Sequence, residues 1–373
     1  MNDRDAGFSA QDQHWMERAL RLAECGTYTT QPNPRVGCVI VRDGRIVGEG
    51  FHRYAGEPHA EVFALRDAGA HACGATVYVT LEPCAHHGRT PPCADALIDA
   101  GVARVVAAMR DPFPCVDGSG FDRLRAAGIE VSSGLMESQA RELNCGFLSR
   151  IERGRPWIRV KLAASLDGRI AMPDGESKWI TGEAARADVQ RWRARSSAIL
   201  TGAGTVLSDD PALTVRIDTD IAFIAPLRVV LDSRLRSLAR TRVRTGDAAT
   251  VYVHARTTSP PVDVSAEFVA VASQAGRLDL NEIFGLLAER GINEVQVEAG
   301  ATLSGALLKS GWVDELLLYL APVVLGERAL PLFSGMEIEH MAQRLSMRIV
   351  DTIQIGEDLR LRLHTYGAQP ADR

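Results

Sequence analysis

The chain has 373 residues, more than a usual single domain, so about two or three domains are expected. A hydrophobic share of 46%, a charged share of 24% and a mean hydropathy of -0.04 describe a soluble globular composition with material for more than one core. The net charge of -5 and the pI of about 6.0 argue against a broad nucleic-acid or membrane-surface footprint, so a small-molecule substrate is expected.

The opening residues have no apolar run and no small-residue cleavage site, so no signal peptide is expected there. No apolar stretch approaches the roughly 18 residues that a membrane-spanning helix needs. Seven cysteines, Cys25, Cys38, Cys73, Cys84, Cys93, Cys115 and Cys145, all precede residue 146. An odd count in a chain without a leader points to thiols, metal ligands or nucleophiles rather than disulfides, and to a cytoplasmic address. Their confinement to one part of the chain suggests two modules joined near residue 150.

In chain order, Trp15, Ala19, Leu20, Leu22 and Ala23 recur at helical spacing up to Gly26. Two β-rich runs, 36–41 and 46–51, are joined by the turn signal Arg42-Asp43-Gly44-Arg45. A helix over 59–68, a strand over 75–80, a helix over 93–100 and a strand over 103–108 follow. Charged residues and a breaker at 151–156 mark a boundary, giving expected domains of 1–151 and 152–373. Beyond it, strands are expected at 157–163, 198–201, 227–231, 250–253, 294–298 and 315–321, and helices at 182–195, 280–290 and 302–311. The tail from Ala368 is expected to be disordered.

The first chemical constellation is Pro58-His59-Ala60-Glu61, then Pro83-Cys84 and, after eight intervening residues, Cys93. One imidazole and two thiolates form a natural zinc set and leave a fourth position for water, whose pKa the metal lowers toward neutrality. Residues two apart on a regular helix point to different sides. His59 and Glu61 can therefore share a site only at the start of a helix, where Pro58 belongs and where thiolates are favoured. Glu61 is spaced to move protons rather than to bind metal. The H-x-E and P-C elements match the zinc-deaminase signature, with hydroxide attack on the amine-bearing carbon and the carboxylate as proton carrier. The loop between the cysteines is longer than in that signature. His86 and His87 lie inside it as competing ligands, and a closed structural zinc site or another divalent metal is an alternative.

The run Thr80-Leu81-Glu82-Pro83-Cys84-Ala85-His86-His87-Gly88-Arg89-Thr90-Pro91-Pro92-Cys93 resembles the deaminase half of the bifunctional riboflavin-biosynthesis family, in which the long loop is normal. Pro32-Asn33-Pro34-Arg35-Val36-Gly37 looks like that family's substrate loop. By this resemblance Asn33, His52, His86 and Arg89 contact the substrate, the last two on its phosphate side. Val160-Lys161-Leu162-Ala163-Ala164-Ser165-Leu166-Asp167-Gly168, Gly175-Glu176-Ser177-Lys178-Trp179 and the stretch from Thr201 to Arg216 resemble its reductase half. The implied fold class is α/β throughout: a cytidine-deaminase-like α/β/α domain, then a dihydrofolate-reductase-like α/β domain.

Read from its chemistry alone the second half says less. It has no G-x-G-x-x-G after a strand, which excludes a dinucleotide fold of that kind. Gly202-Ala203-Gly204-Thr205 and Glu298-Ala299-Gly300-Ala301 read as glycine-rich turns, the second before a helix and able to approach phosphate. The resemblance assigns NADPH to Ala163, Trp179, Thr205, Asp209, Ser233 and Gly300, Ala301, Thr302, Leu303, Ser304, Gly305 and Ala306. It assigns substrate to Ser177, Arg193, Leu213, Arg216 and Glu298, the arginines as phosphate clamps. Lys161, Asp209 and Glu298 are candidates for catalytic support, with a structural ion pair as the alternative for each.

The resemblance implies zinc-dependent removal of an amino group from a phosphorylated pyrimidine, then NADPH reduction of its ribosyl side chain. A homo-oligomer is the family expectation. Two other readings are a nucleic-acid base deaminase with an accessory domain, which the 6% aromatic content and negative charge disfavour, and a non-enzymatic zinc-stabilised module.

Overall fold

The computed structural model describes residues 7–86, 91–114, 116–218 and 220–366. The chain divides into two compact units after Arg153.

The first unit runs α1 (Ala10–Glu24), β1 (Gly37–Arg42), β2 (Arg45–Phe51), α2 (Ala60–Ala68), β3 (Thr76–Val79), α3 (Cys93–Asp99), β4 (Arg104–Ala107), α4 (Ser119–Ala126), β5 (Glu130–Ser133), α5 (Glu137–Leu143) and α6 (Cys145–Arg153). Its sheet order is β2-β1-β3-β4-β5. β1 pairs antiparallel with β2 and β3, while β3, β4 and β5 are parallel and connected through helices. Val39, Ile40, Val77, Val105 and Val106 bury the sheet in one core with Met16, Ala64 and Leu97 of the helices. Glycines let helices settle onto strands. Gly48 and Gly50 share one face of β2, and a Cβ there would lie 2.2 Å from the Ala64 carbonyl oxygen and 2.4 Å from that of Ala60. The start of α2, with His59 and Glu61, is thereby pressed to β2.

The second unit contains β6 (Trp157–Ser165), β7 (Arg169–Ala171), α7 (Glu183–Arg195), β8 (Ala198–Gly202), α8 (Ala203–Asp209), β9 (Leu227–Leu231), β10 (Thr250–Ala255), β11 (Glu267–Val271), β12 (Ser273–Gln274), β13 (Arg277–Leu278), α9 (Leu280–Glu289), β14 (Glu294–Val297), α10 (Ala301–Lys309), β15 (Glu315–Ala321), β16 (Leu330–Pro331), β17 (Met347–Ile355) and β18 (Asp358–Thr365). The large sheet has the order β11-β10-β9-β8-β14-β6-β15-β18-β17. Its strands from β11 to β15 are parallel, and the β17–β18 hairpin adds antiparallel at one edge. Ile158, Val160, Val229, Val295 and Leu316 fill one face of this sheet with Phe284 and Leu307. Across β6, β14 and β15, Arg159 is fully buried between Glu294 and Glu315, with hydrogen bonds of 3.1 Å to each.

Three sequence expectations are revised. Glu152 and Arg153, read as part of a connecting segment, form the last turn of α6, which Gly154 follows in the left-handed region at φ 65°. Ala203-Gly204-Thr205 is the first turn of α8, with Gly202 as its N-cap, because Ala203 and Val206 turn into the core. The β17–β18 hairpin, β5, β11 and the helices α4 to α6 were not expected.

Candidate active sites

His59 is the N-cap of α2, with extended backbone at φ -75° and ψ 169°, and its side chain caps nothing. Because it stands outside the helix, the 100° rotation that separates positions two apart does not apply to it. β3 delivers Cys84 in the loop at its end, and Cys93 is the first residue of α3. His59 Nδ1 lies 3.6 Å from Cys84 Sγ and 3.3 Å from Cys93 Sγ. The three ligand atoms all fall within 4.8 Å of one another. A tetrahedral zinc with ordinary bond lengths would set N to S at about 3.6 Å and S to S at about 3.8 Å, so the donor set fits the metal in chemistry and size.

Electrostatics agree. A hydrogen bond from Cys93 above all, with others from His59 and the Cys93 N–H, holds the Cys84 thiol down to about 4 against its burial. Glu61 is only 3% exposed, its Oε2 has no hydrogen-bond partner, and burial pushes its carboxyl up to about 7. A carboxyl poised near neutrality can both take and return a proton.

Asn33 and His52 are brought to the same place. Asn33 Nδ2 is 3.0 Å from His52 Nε2, His52 Nδ1 is 3.2 Å from the Pro58 carbonyl oxygen, and the His52 ring stands 5.4 Å from that of His59. The network assigns the Nδ1–H to Pro58 and leaves Nε2 as acceptor. Burial keeps His52 toward its neutral form. His86 is exposed, with its ring 6.2 Å from Phe113. His87 and Arg89 lie outside the described residues, as does the tail from Ala368.

Two buried carboxylates beside this cluster were missed. Glu82 accepts backbone hydrogen bonds from Asp111, Gly118, Gly120 and Phe121. Asp111, raised to about 6 mainly by burial, feels the Cys84 charge. The available signal was Asp111-Pro112, followed by glycines at 118 and 120, just after the buried strand β4.

In the second unit a cavity of about 1240 Å³ opens at the starts of α8 and α10. Thr205, Ser233, Gly300, Ala301, Thr302, Leu303 and Ala306 line it. Ser304 and Gly305, expected there too, are buried: Ser304 donates to the Ala299 carbonyl, and Gly305 packs on Ser334, whose carbonyl oxygen would meet a Cβ at 2.1 Å. Ala163 is on β6 against Tyr319 and Trp192, Trp179 is 69% exposed under the Arg186 guanidinium, and Asp209 is the exposed last residue of α8.

A polar cluster joins β6, β14 and α7. Arg193 donates to Glu298 from Nε at 2.6 Å and Nη2 at 2.7 Å, and from Nη1 to the Thr214 carbonyl at 2.8 Å. Gln296, absent from the expected set, donates to Glu298 at 2.8 Å. Burial lowers the pKa of Lys161, and the charge of Glu298 opposes that shift. Arg193, expected as a phosphate clamp, holds the Glu298 carboxylate with two of its nitrogens and the Thr214 carbonyl with the third. Arg216 is electrostatically near both and donates its backbone N–H to Gln190 at 3.0 Å. Leu213 is buried at φ 49°, and Ser177 is half-buried in the loop that leads to α7.

Fold and sites define a zinc-type pyrimidine deaminase domain followed by a nucleotide-dependent reductase domain. The cytidine and deoxycytidylate deaminase zinc-binding region matches residues 9–109, and the RibD C-terminal domain matches 156–361. The chain is 51% identical to the riboflavin biosynthesis protein RibD of Escherichia coli, covering 95% of this chain and 99% of that protein. The RibD of Haemophilus influenzae is 47% identical over 95% of this chain and 97% of its own length. Among solved structures, Acinetobacter baumannii RibD superposes with a TM-score of 0.88 at 48% identity, covering 95% and 99% of the two chains. A diaminohydroxyphosphoribosylaminopyrimidine deaminase/5-amino-6-(5-phosphoribosylamino)uracil reductase from Thermotoga maritima gives 0.85 at 35% identity, with the same coverage. The chain belongs to the RibD family, the bifunctional deaminase–reductases of riboflavin biosynthesis. Among the described residues, no helix is long and apolar enough to cross a membrane.

Proposed function

We propose that the first unit removes the 2-amino group of 2,5-diamino-6-(ribosylamino)pyrimidin-4-one 5′-phosphate, and that the second reduces the ribosyl side chain of the product to ribityl. The observation that carries the first step is the convergence of His59, Cys84 and Cys93 with the buried Glu61 carboxyl, whose Oε2 has no partner, at the start of α2. His59, Cys84 and Cys93 would hold zinc, which when bound polarises a water for attack. Glu61 carries the two protons of the water in turn, one to the ring nitrogen as the C–O bond forms and one to the amino group as the C–N bond breaks and ammonia leaves. Asn33 and His52 position the ring beside His59, and His86 contacts the phosphate.

For the second step the cavity at α8 and α10 holds NADPH, which when bound supplies the hydride. Lys161 and Glu298, with Asp209, give polar support at the imine-like C1′ of the ring-opened sugar, and Arg193 fixes Glu298. Arg216 is the arginine left for the substrate phosphate, with Ser177 and Leu213 beside it. The assignment of deamination to 1–151 and reduction to 152–373 is supported by the division into two compact units after Arg153. Six described cysteines are free, which supports a cytoplasmic address, and the net charge supports a small substrate rather than nucleic acid. Ile349 and Ile353, exposed on edge strand β17, support self-association.

A coupled assay on the purified, zinc-loaded protein tests the reading, recording ammonia release and NADPH absorbance together. Ammonia followed by substrate-dependent NADPH loss is expected. Ammonia alone would remove the reductase assignment, and neither signal would remove both.

A further inference from the structure

The loop that carries Cys84 begins with a buried carboxylate that the proposed chemistry leaves unused. Glu82 is 3% exposed. Its Oε2 accepts from the N–H groups of Asp111 at 3.2 Å and Gly118 at 3.0 Å, and its Oε1 from Gly120 at 3.0 Å and Phe121 at 3.3 Å. The last two are first-turn amides of α4. The N-cap of that helix is Gly118, at φ 90°, which has no side chain to receive them. The acceptor therefore comes from a different segment of the chain. A buried carboxylate needs its lone pairs met, and here four amides and the positive end of a helix meet them.

The approach is close. A Cβ on Gly120 would lie 1.9 Å from the Pro83 carbonyl oxygen, so α4 begins directly against the Glu82–Pro83 backbone. The Glu82 N–H also donates to the Met109 carbonyl at 3.0 Å. One residue thus ties together the segment leading to Cys84, the end of β4 and the start of α4. Between them lie Asp111, 8% exposed with its carboxylate on the Phe113 N–H at 2.9 Å, and Phe113, whose ring faces His86.

We propose that Glu82 is a positioning residue of the deaminase centre: its carboxylate holds Asp111 and Phe113, the wall beside His86, in register with Cys84. This rests on the deaminase reading of the first unit. Loss of the carboxylate frees the wall without removing a metal ligand. A part that orients substrate, rather than holding metal, shows its loss in KM and in turnover per bound zinc.

The test uses the full-length, zinc-loaded protein and its Glu82→Gln and Gly120→Ala variants. The second displaces α4 from Pro83 while leaving the carboxylate in place. Zinc content, KM and kcat of ammonia release per bound zinc, and NADPH oxidation with the deaminated pyrimidine are measured on each. Zinc content and the reductase rate should hold while KM for deamination rises about tenfold or more, since small misplacements near a reacting centre are costly. Where Glu82→Gln does not fold, Gly120→Ala and Glu82→Asp carry the same measurement. Unchanged KM and kcat per bound zinc, with or without loss of zinc, would overturn the proposal. A wild-type protein that releases no ammonia would instead remove the deaminase reading on which it stands.

Discussion

Arg193 grips Glu298 in a two-pronged hydrogen bond, 2.6 Å from Nε and 2.7 Å from Nη2, and α7 is thereby tied to the end of β14 beside Lys161. Removing one partner leaves the other charge largely buried without its principal counter-charge. Arg193→Ala should cost the second unit about 3–5 kcal/mol and abolish NADPH oxidation. Calorimetry and the coupled assay check this, with ammonia release expected to persist. Arg193→Lys should not rescue it, because an ammonium cannot supply the planar fork.

The same pair sets an acid limit. Burial would raise the Glu298 carboxyl, but the charge and hydrogen bond of Arg193, with Lys161 and Gln296, hold it down at about 2, below the ordinary 4.5. Because the folded value is depressed, the stabilisation is complete above the ordinary value and disappears as pH falls toward about 2. Acid unfolding of the second unit should therefore steepen across that window. Glu298→Gln, followed by circular dichroism against pH, should flatten it.

Glu61→Gln should lower kcat for ammonia release by about 10²–10⁴-fold while zinc content stays unchanged. Metal analysis beside the rate measurement separates proton transfer from metal binding. Loss of zinc together with activity would make Glu61 part of the metal centre's structure instead.

Stripping zinc with a chelator should stop ammonia release and spare NADPH oxidation on the deaminated pyrimidine, and zinc should restore the first. Cys84→Ser should behave like the stripped protein at ordinary zinc concentrations. A parallel loss of both reactions would contradict the assignment of the ligand set to one unit.

Gly50→Ala would place a methyl group 2.4 Å from the Ala60 carbonyl oxygen, where only backbone movement can relieve it. About 1–3 kcal/mol of destabilisation is expected. His59 and Glu61 should shift with the helix start, so deamination should fall more than thermal stability does.

The metal centre was legible because its residues are chemically unusual and their spacing forces them to a helix start. The central strands were legible too: β15 is an apolar run from Leu316 to Ala321 of the kind that parallel sheets bury on both faces, while β6 and β9 are mostly apolar with Arg159, Lys161 and Arg228 set among them. Helices α4 and α5 escaped because their N-caps, Gly118 and Met136, lie in the left-handed region without side-chain caps, so no capping signature marks their starts. In β18, Leu359, Leu361 and Leu363 do alternate with Arg360 and Arg362, but the arginines turn to Asp188 and Glu315 rather than to water. Glu82 and Asp111 were hidden for a different reason. Their partners are backbone amides, and backbone partners leave no mark on residue identity.

The order of strands in the second sheet bears on how the protein is made. β6, the first strand of that unit to leave the ribosome, lies between β14 and β15, which are among the later strands to be synthesised. Its two ladders must wait while most of the unit is translated, whereas each strand of the first sheet gains its neighbours early. The deaminase half can thus acquire its fold, and its metal, while the reductase half is still a nascent chain with an unpaired apolar strand, and that interval is when a chaperone would matter most.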